Sequence, residues 1–579
     1  MEASADLVIR GGTVFDGSGG EPFEADVAVT DGRITAVGAV AGSGREEIDA
    51  RGHMVTPGFV DVHTHYDGQL IWSEQLSPSS SHGVTTVATG NCGVGFAPCR
   101  PEDHTRLIKL LEGVEDMPEV VLADGLTWDW ESFPEFVHAV KRRRHDLDFV
   151  LQLPHSALRM YVMGERAIDK GEATAEEIAQ MRVLAREAAE AGAFGFGTSR
   201  NIFHTTLAGD VIPTAHTPEA ELTAIAQGVR EGGGGVIQAI LNVETPRPDL
   251  EMFRRVAERS GCPLSFTLLQ VGGPDRESWK DLLAMTREAR AAGVPVTGQV
   301  FPRPVGVLLG LDASYHPFSA HPAYLRIADL PLAARVAEMR KPEVRTAILA
   351  DTPEPRGMLF YRLARVFDII YPLGDPPNYE PDASTSIAAT AAARGVSPDE
   401  VAYDLLLEDN GHALLLQTIA NYADRNLEAA REMLIDPVTV PALGDGGAHY
   451  GMICDSTYTT FMLTHWGRDR GKGRLPLPEL VRAMTSKPAA MLGLSDRGRI
   501  APGLKADLNV IDFDRLKLKA PRMVWDLPSA GRRLTQEASG YVATFVSGEA
   551  IQRNGAATDA RPGKMVERSS RATTALAAE

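Results

Sequence analysis

Cysteine is scarce in this chain, and long apolar runs are missing from it. Only four cysteines, Cys92, Cys99, Cys262 and Cys454, occur among 579 residues, and none forms a Cys-x-x-Cys pair. A disulfide framework is therefore not expected, and a reducing cytoplasm is the simplest compartment. No run of about 18 apolar residues exists, so we expect no membrane-spanning helix. The acidic first residues lead directly into a predicted strand, which is unlike a signal peptide.

Positive charge is also in deficit. The chain has 58 Lys and Arg residues against 77 Asp and Glu residues, a formal net charge of −19. This charge disfavours nucleic acid and anionic lipid as partners. We therefore expect a small-molecule ligand, with neither nucleic acid nor a membrane as a partner. The sequence does not fix the oligomeric state, and a homo-oligomer is compatible with it.

Both ends of the chain have the pattern of short antiparallel strands. Residues 7–10 and 25–29 near the start, and 507–511 and 541–546 near the end, are β-rich runs separated by Gly and Asp turns. We predict that the two ends pair into one composite β-sandwich.

The middle of the chain alternates strands with amphipathic helices. Thr174 and Glu177 form a capping box, the helix that follows ends at Gly192, and an apolar run comes next. Repetition of such units indicates a parallel sheet. The predicted fold class is therefore α/β, a (β/α)₈ TIM-like barrel with the composite β-sandwich beside it. The predicted boundaries are 1–56 plus 497–565 for the sandwich, 57–496 for the barrel, about 305–385 for an insertion within it, and 566–579 for a frayed tail.

Two histidines, His63 and His65, stand at the end of the first predicted barrel strand. Alternate residues of a strand point to the same side, so both imidazoles can bind one metal ion, for which zinc is the common choice. The alternative is two unrelated histidines on a loop. Their position favours a metal site, because barrel enzymes place catalytic groups at the carboxyl ends of strands.

Cys92 and Asp445 follow two further predicted strands. Cys92 is a candidate zinc ligand, and the alternative is a small buried apolar side chain. Asp445 is a candidate metal ligand and the candidate general base and acid, because a carboxylate near metal-activated water can accept and return a proton. The alternative is a turn residue, since Asp-Gly is a common turn.

Other candidates have weaker positional support. His155 and His449 lie at strand ends, where they can polarise a carbonyl or transfer a proton, or serve as structural histidines. Arg159, Arg200 and Arg303 are candidate anchors for a substrate carboxylate, and the alternative for each is a salt bridge within the protein.

Taken together, the motifs resemble a known family. They are His63-Thr64-His65, the Gly-Asn-Cys-Gly segment 90–93, the Asp445 segment, and residues 154–159, 162–164, 484–490 and 496–508. They resemble the amidohydrolase superfamily, and within it the D-aminoacylase (N-acyl-D-amino-acid deacylase) family, from Leu7 to about Gly563. The resemblance implies a zinc-carrying barrel beside a β-sandwich. It also implies that Cys92 replaces a bridging carboxylated lysine and that Asp445 is the general base.

The chain departs from that family at two middle strands. Residues 236–242 and 266–270 contain no histidine where the family has histidine ligands for a second metal, and glutamine is a poor zinc ligand. We therefore predict one zinc ion, held by His63, His65, Asp445 and Cys92. Three glutamines on the barrel strands form either a polar wall that binds substrate or amides that satisfy one another: Gln238, Gln270 and Gln299.

The predicted function is hydrolysis of a carbon–nitrogen amide bond. Zinc-activated water attacks an N-acyl amino acid or related small amide, with Asp445 as general base and acid. One alternative is a cyclic-amide hydrolase or a deaminase that uses the same site. A second is a barrel that has lost its metal and only binds ligands.

Overall fold

The computed structural model describes residues 5–169, 171–354 and 359–568, and the chain is a mixed α/β protein. Among the described residues, no helix has the length and apolar character needed to cross a membrane. Val566 belongs to the tail predicted over residues 566–579, but it is buried and its amide donates to the Phe149 carbonyl oxygen. The part of that tail from Ser569 onward lies outside the described residues.

The strands, in chain order, are β1 (Ala5–Val14), β2 (Phe23–Thr30), β3 (Arg33–Gly38), β4 (Gly44–Asp49), β5 (Met54–Pro57), β6 (Phe59–Asp61), β7 (Val84–Thr89), β8 (Asp148–Leu151), β9 (Leu153–Pro154), β10 (Gly195–Ser199), β11 (Val236–Ile240), β12 (Leu264–Thr267), β13 (Val296–Val300), β14 (Val305–Leu309), β15 (Ile370–Pro372), β16 (Leu415–Ala420), β17 (Thr439–Pro441), β18 (Leu508–Ile511), β19 (Lys517–Leu518), β20 (Arg522–Leu527), β21 (Gly531–Thr535), β22 (Ala538–Ser539), β23 (Tyr541–Val546), β24 (Glu549–Arg553) and β25 (Ala556–Ala557).

The α-helices are α1 (Gln69–Trp72), α2 (His104–Glu115), α3 (Glu119–Gly125), α4 (Phe133–Lys141), α5 (His155–Met163), α6 (Glu165–Ile168), α7 (Ala175–Glu190), α8 (Glu219–Glu231), α9 (Pro246–Ser260), α10 (Ser278–Ala291), α11 (Pro322–Leu325), α12 (Leu332–Met339), α13 (Pro342–Ala350), α14 (Leu359–Leu363), α15 (Ile387–Arg394), α16 (Pro398–Leu406), α17 (Glu428–Leu434), α18 (Tyr458–Phe461), α19 (Leu477–Met484) and α20 (Ser486–Met491).

Parallel strands form the centre of the molecule. β6, β7 and β8 make one parallel series, and β9 to β13 with β17 make another. Every residue of β7, β11 and β13 is buried, as expected for parallel strands covered on both faces. Between the strands, helices such as α7, α8 and α9 pack side by side.

Two backbone hydrogen bonds join the segment that follows β6 to the segment that follows β17. The Asp445 amide donates to the His63 carbonyl oxygen at 3.1 Å, and the His65 amide donates to the Gly446 carbonyl oxygen at 2.8 Å. The carboxyl end of β6 and the segment after β17 therefore lie side by side. This contact brings two motifs that are far apart in the sequence to one place.

The two chain ends share one sheet, as the sequence indicates. Its strand order is β25-β24-β23-β18-β5-β1-β2-β3. β4 pairs in parallel with residues 5–10 of β1. β5 and β18 meet in antiparallel register, with Val55 opposite Val510. Apolar side chains from both ends, such as Ile9, Val27 and Phe545, pack in one cluster.

A separate sheet forms in the region where the sequence predicts an insertion. β14 and β15 both pair with β16, and these strands pack with the helices between them around their own apolar cluster. The three strands span residues 305–420, beyond the range of about 305–385 predicted for an insertion. Sequence patterns did not indicate that β16 pairs with β14 and β15, because two helices separate β16 from β15.

Candidate metal centre

His63 and His65 follow β6 directly and are 1% and 2% exposed. The backbone between them is fixed by the Thr64 amide, which donates to the Ala88 carbonyl oxygen on β7 at 3.0 Å. The two rings lie 5.5 Å apart between centroids. Burial lowers the pKa of His63 to about 4 and that of His65 to about 3, so both imidazoles are neutral at pH 7. A neutral imidazole has the free lone pair that a metal ligand needs.

Gln299 fixes the orientation and tautomer of His63. Its side-chain nitrogen donates to Ser265 Oγ at 2.9 Å, so its Oε1 faces His63 and accepts from Nδ1 at 2.7 Å. With the proton on Nδ1, the His63 Nε2 lone pair points toward the other donors. Carbonyl and carboxylate oxygens commonly play this role behind metal-binding histidines.

Cys92 lies beside His63 on the loop that follows β7. Its Sγ is 3.4 Å from His63 Nε2, and its backbone amide donates to Gln238 Oε1 at 3.0 Å. Burial, and then the nearby carboxylates of Glu115 and Asp445, raise the pKa of this thiol well above its usual range. A bound cation reverses this effect, because it stabilises the thiolate.

Asp445 completes the cluster from the loop after β17. Its Oδ1 is 3.4 Å from His63 Nε2 and 3.6 Å from His65 Nε2, and its side chain is 19% exposed. The backbone of Asp445 has a φ of 46°, in the left-handed region that aspartate tolerates better than most residues. The carboxylate is therefore open to solvent on one side and to the two imidazoles on the other.

These donor atoms fit a metal ion. Two ligand atoms about 2.1 Å from a tetrahedral zinc ion are about 3.4 Å apart, and the separations above match this value. Ligand atoms of His63, His65 and Cys92 all lie within 4.8 Å of one another. In the part of the chain that the structure describes, the buried atoms His65 Nε2 and Asp445 Oδ1 have no hydrogen-bond partner. Histidine nitrogens, a thiol and a carboxylate are the ligand types that zinc prefers.

The structure also brings His449 and an unpredicted residue, Glu115, to this cluster. Glu115 is the last residue of α2 and is 1% exposed. Its Oε2 lies 3.5 Å from His65 Nε2 and 3.2 Å from His449 Nε2. The sequence holds one signal for Glu115, because it continues the buried stripe of Leu107 and Leu111 at a spacing of four residues.

The three predicted glutamines do not form one polar wall. Gln238 and Gln299 contact the candidate metal donors Cys92 and His63. Gln270 instead stabilises a loop, where its Nε2 donates to Asp424 at 2.8 Å and its Oε1 accepts from the Ala423 amide at 3.1 Å.

His155 is held away from any substrate by its own partners. Its Nδ1 is 2.8 Å from Thr198 Oγ1, its Nε2 is 2.9 Å from Glu221 Oε1, and it is completely buried. Both ring nitrogens are engaged, so the predicted polarisation of a carbonyl by His155 has no support in this geometry.

The three predicted anchor arginines are also engaged within the protein. Arg159 donates to the Gly171 carbonyl oxygen at 2.6 Å and lies 3.5 Å from Glu221. Arg200 pairs with Asp249 at 2.9 Å. Arg303 pairs with Asp455 at 2.7 Å and is 1% exposed. Each therefore matches the salt-bridge alternative rather than a free anchor for a substrate carboxylate.

Comparison with known proteins places the whole chain beside one group of hydrolases. The profile of a family described as "Amidohydrolase family" matches residues 46–552. The N-acyl-D-aspartate deacylase of Alcaligenes xylosoxydans xylosoxydans is 27% identical over 571 residues, which cover 97% of this chain and 95% of that protein.

Two solved structures have a similar fold. A D-aminoacylase variant in complex with copper chloride has a TM-score of 0.66 and 25% identity, over 97% of this chain and 100% of that one. The N-acyl-D-glutamate deacylase of Bordetella bronchiseptica, in complex with zinc and a phosphonate inhibitor, has a TM-score of 0.64 and 23% identity, over 97% and 100% of the two chains. At 23% identity, the second structure shows a similar fold and nothing further.

Proposed function

The chain belongs to the amidohydrolase family, and from this membership we propose that it is a zinc-dependent deacylase that hydrolyses the amide bond of N-acyl-D-amino acids. The observation that carries the proposal is the convergence of donor atoms from His63, His65, Cys92 and Asp445, with separations of 3.4 and 3.6 Å. A barrel that only binds ligands has no need for such a buried, unpaired donor set.

The metal ligands we assign are His63, His65, Cys92 and Asp445. Zinc bound there would lower the pKa of its water toward ~7 and would polarise an amide carbonyl. The protein's own contribution is to keep both imidazoles neutral by burial and to hold His63 in one tautomer through Gln299.

We assign the roles of general base and general acid to Asp445. The side chain is 19% exposed, so the carboxylate oxygen that does not bind the metal can accept a proton from water at the cluster. The oxygen of that water adds to the amide carbonyl carbon, and the same carboxyl group returns the proton to the nitrogen as the C–N bond breaks, which releases a free amine. The products are a carboxylic acid and an amino acid.

The D configuration is proposed from the relatives. The N-acyl-D-aspartate deacylase matches 97% of this chain, and a D-aminoacylase has the same fold. Which side chain is accepted is left to the assay below, because the arginines predicted to recognise a carboxylate are paired within the protein.

The architecture we propose for this activity is a (β/α)₈ barrel, residues 57–496, closed by the backbone bonds between the ends of β6 and β17. A composite β-sandwich, residues 1–56 plus 497–565, lies beside it. In such a barrel the catalytic side chains come from the carboxyl ends of several strands, which is where His63, Cys92 and Asp445 lie.

An assay on a substrate panel tests this function. Purified protein is incubated with N-acetyl derivatives of D- and L-aspartate, glutamate and leucine, with and without a chelator, and released primary amine and ammonia are measured separately. We expect amine from the D series, lost on chelation. Ammonia release would indicate a deaminase, and turnover that resists chelation would contradict the proposal.

A matched pair of variants assigns the proton transfer. Asp445→Asn should lower kcat by about 10²–10⁴-fold, the usual contribution of a general acid–base group. Asp559→Asn changes an exposed aspartate just after β25 and should leave kcat unchanged.

A further inference from the structure

Glu115 has a carboxylate inside the candidate metal centre that the proposed mechanism does not use. It ends α2, and its position over the cluster is fixed by the His449 amide, which donates to the Glu115 carbonyl oxygen at 2.5 Å. The carboxylate reaches His65 Nε2 at 3.5 Å and His449 Nε2 at 3.2 Å.

Among the described residues, no Lys or Arg side chain pairs with the charge of this carboxylate. Oε2 is a buried atom without a hydrogen-bond partner, and across the described ranges Glu115 forms ion-pair contacts only with the imidazoles of His65 and His449. The other nearby charges, those of Asp445 and Asp67, are also negative. An isolated carboxylate is costly to bury, so this arrangement points to a cation that binds beside it.

The distances locate that cation. One imidazole nitrogen binds one metal ion, and His65 Nε2 has two carboxylate oxygens near it, Asp445 Oδ1 at 3.6 Å and Glu115 Oε2 at 3.5 Å. Both values match the separation of about 3.4 Å expected for two ligands of the same zinc ion. Each distance is therefore the one expected if a metal ion on His65 Nε2 also binds that oxygen.

We propose that Glu115 is a further ligand of the metal ion held by His63, His65, Cys92 and Asp445. This inference rests on the proposed function, because it assumes that the cluster binds zinc. The carboxylates of Asp445 and Glu115 gather negative charge that a bound divalent cation stabilises. One ligand of the site then comes from α2, which lies between β7 and β8 in the sequence.

Zinc affinity of one variant and its control tests this assignment. Glu115→Gln keeps the shape of the side chain but removes its charge. The control, Glu119→Gln, changes an exposed glutamate four residues further along the chain, at the start of α3. Each protein is stripped of metal and titrated with zinc against a chromophoric chelator. We expect Glu115→Gln to bind zinc at least about 10-fold more weakly than wild type, and Glu119→Gln to bind as wild type does.

Two further measurements separate a ligand from a structural residue. Metal-free Glu115→Gln should unfold at a temperature no lower than metal-free wild type, because a neutral amide replaces an uncompensated buried charge. With Co²⁺ in place of zinc, its visible spectrum should differ from that of wild type, since that spectrum depends on coordination.

The outcomes distinguish this inference from the proposed function. Wild-type protein that binds no zinc would overturn both. Wild-type protein that binds zinc, with Glu115→Gln equal to it in affinity and in the Co²⁺ spectrum, would overturn the assignment of Glu115 alone. A metal-free Glu115→Gln protein that unfolds below metal-free wild type would also overturn it, because a structural role would then explain weaker binding.

Discussion

Gln299 controls the donor direction of His63 without touching the metal position itself. Its Oε1 accepts from His63 Nδ1 at 2.7 Å, and its own orientation is set by Ser265. Without this acceptor, the ring can turn and its proton can move to the other nitrogen.

Gln299→Leu should therefore weaken zinc binding by about 10–100-fold while the fold is retained. The control is Gln270→Leu, because Gln270 stabilises a loop through Asp424 and Ala423. We expect this control to lower stability and to leave zinc affinity unchanged. Chelator competition measures both affinities, and equal affinities for the two variants would contradict the role of Gln299.

Residues of the site were predictable where a strand end and a metal-binding residue type coincide in the sequence. His63, His65, Cys92 and Asp445 all satisfy this condition. Glu115 does not, because it reaches the site from a helix whose placement depends on tertiary packing. For the same reason, the sequence could not say that Arg303 is already paired with Asp455.

Single helices and strands follow local rules closely in this chain. Thr174 caps α7 as predicted, with Thr174 Oγ1 accepting from the Glu177 amide at 3.2 Å and Glu177 Oε2 accepting from the Thr174 amide at 2.7 Å. Ser397 and Glu400 form a second capping box, at the start of α16. Such elements are predictable because their hydrogen bonds span three residues. The pairing of β14 and β15 with β16 depends on distant contacts and was missed.

Removal of the cap should loosen the first turn of α7. Thr174→Ala loses the hydroxyl acceptor, at a cost of ~1 kcal/mol, so the amide of Glu177 should exchange hydrogen about fivefold faster. Thr174→Ser keeps the hydroxyl and should exchange like wild type. Hydrogen exchange followed by mass spectrometry resolves this turn, and equal protection in the two variants would show that the cap contributes nothing.

At the scale of the whole molecule, a buried charge cluster ties the C-terminal segment to the parallel strands. Asp148 on β8 contacts Arg497 at 2.6 Å and Lys505 at 2.9 Å. Its other oxygen accepts from the Lys564 amide at 2.9 Å. Burial alone would raise the pKa of Asp148, but Lys505 and Arg497 outweigh it and hold that pKa below its ordinary 3.8.

This shift has a definite sign. A carboxyl group with a depressed pKa stabilises the folded state above its ordinary pKa, and that stability is lost as the pH falls through the folded-state pKa. Asp148→Asn should therefore lower the free energy of unfolding by about 3 kcal/mol at pH 7, as when one partner of a buried pair is removed. The difference from wild type should persist at pH 5 and shrink below pH 3.8.

Urea unfolding at several pH values measures this difference. Asp496→Asn serves as the control, because Asp496 contacts the same Arg497 but is 43% exposed, and exposed pairs contribute little. A cost for Asp148→Asn that does not change with pH would mean that the charge of Asp148 is not what joins these segments.

For the two chain ends, the sequence patterns predicted the pairing of strands but not its register. Their β-rich texture predicted that they pair, and β5 and β18 do lie side by side. The register of that pairing, and the cluster around Asp148, required the three-dimensional contacts.

Reconstitution of metal-free protein with zinc tests whether amide hydrolysis depends on one metal ion bound at the cluster of His63, His65 and Asp445. Protein stripped by a chelator is titrated with zinc while amine release from an N-acetyl-D-amino acid is followed. We predict no activity without metal and full activity at one zinc ion per chain, with no such recovery in His63→Ala. Full activity in the metal-free protein, or one tightly bound zinc ion without any amide hydrolysis across the panel, would contradict the account.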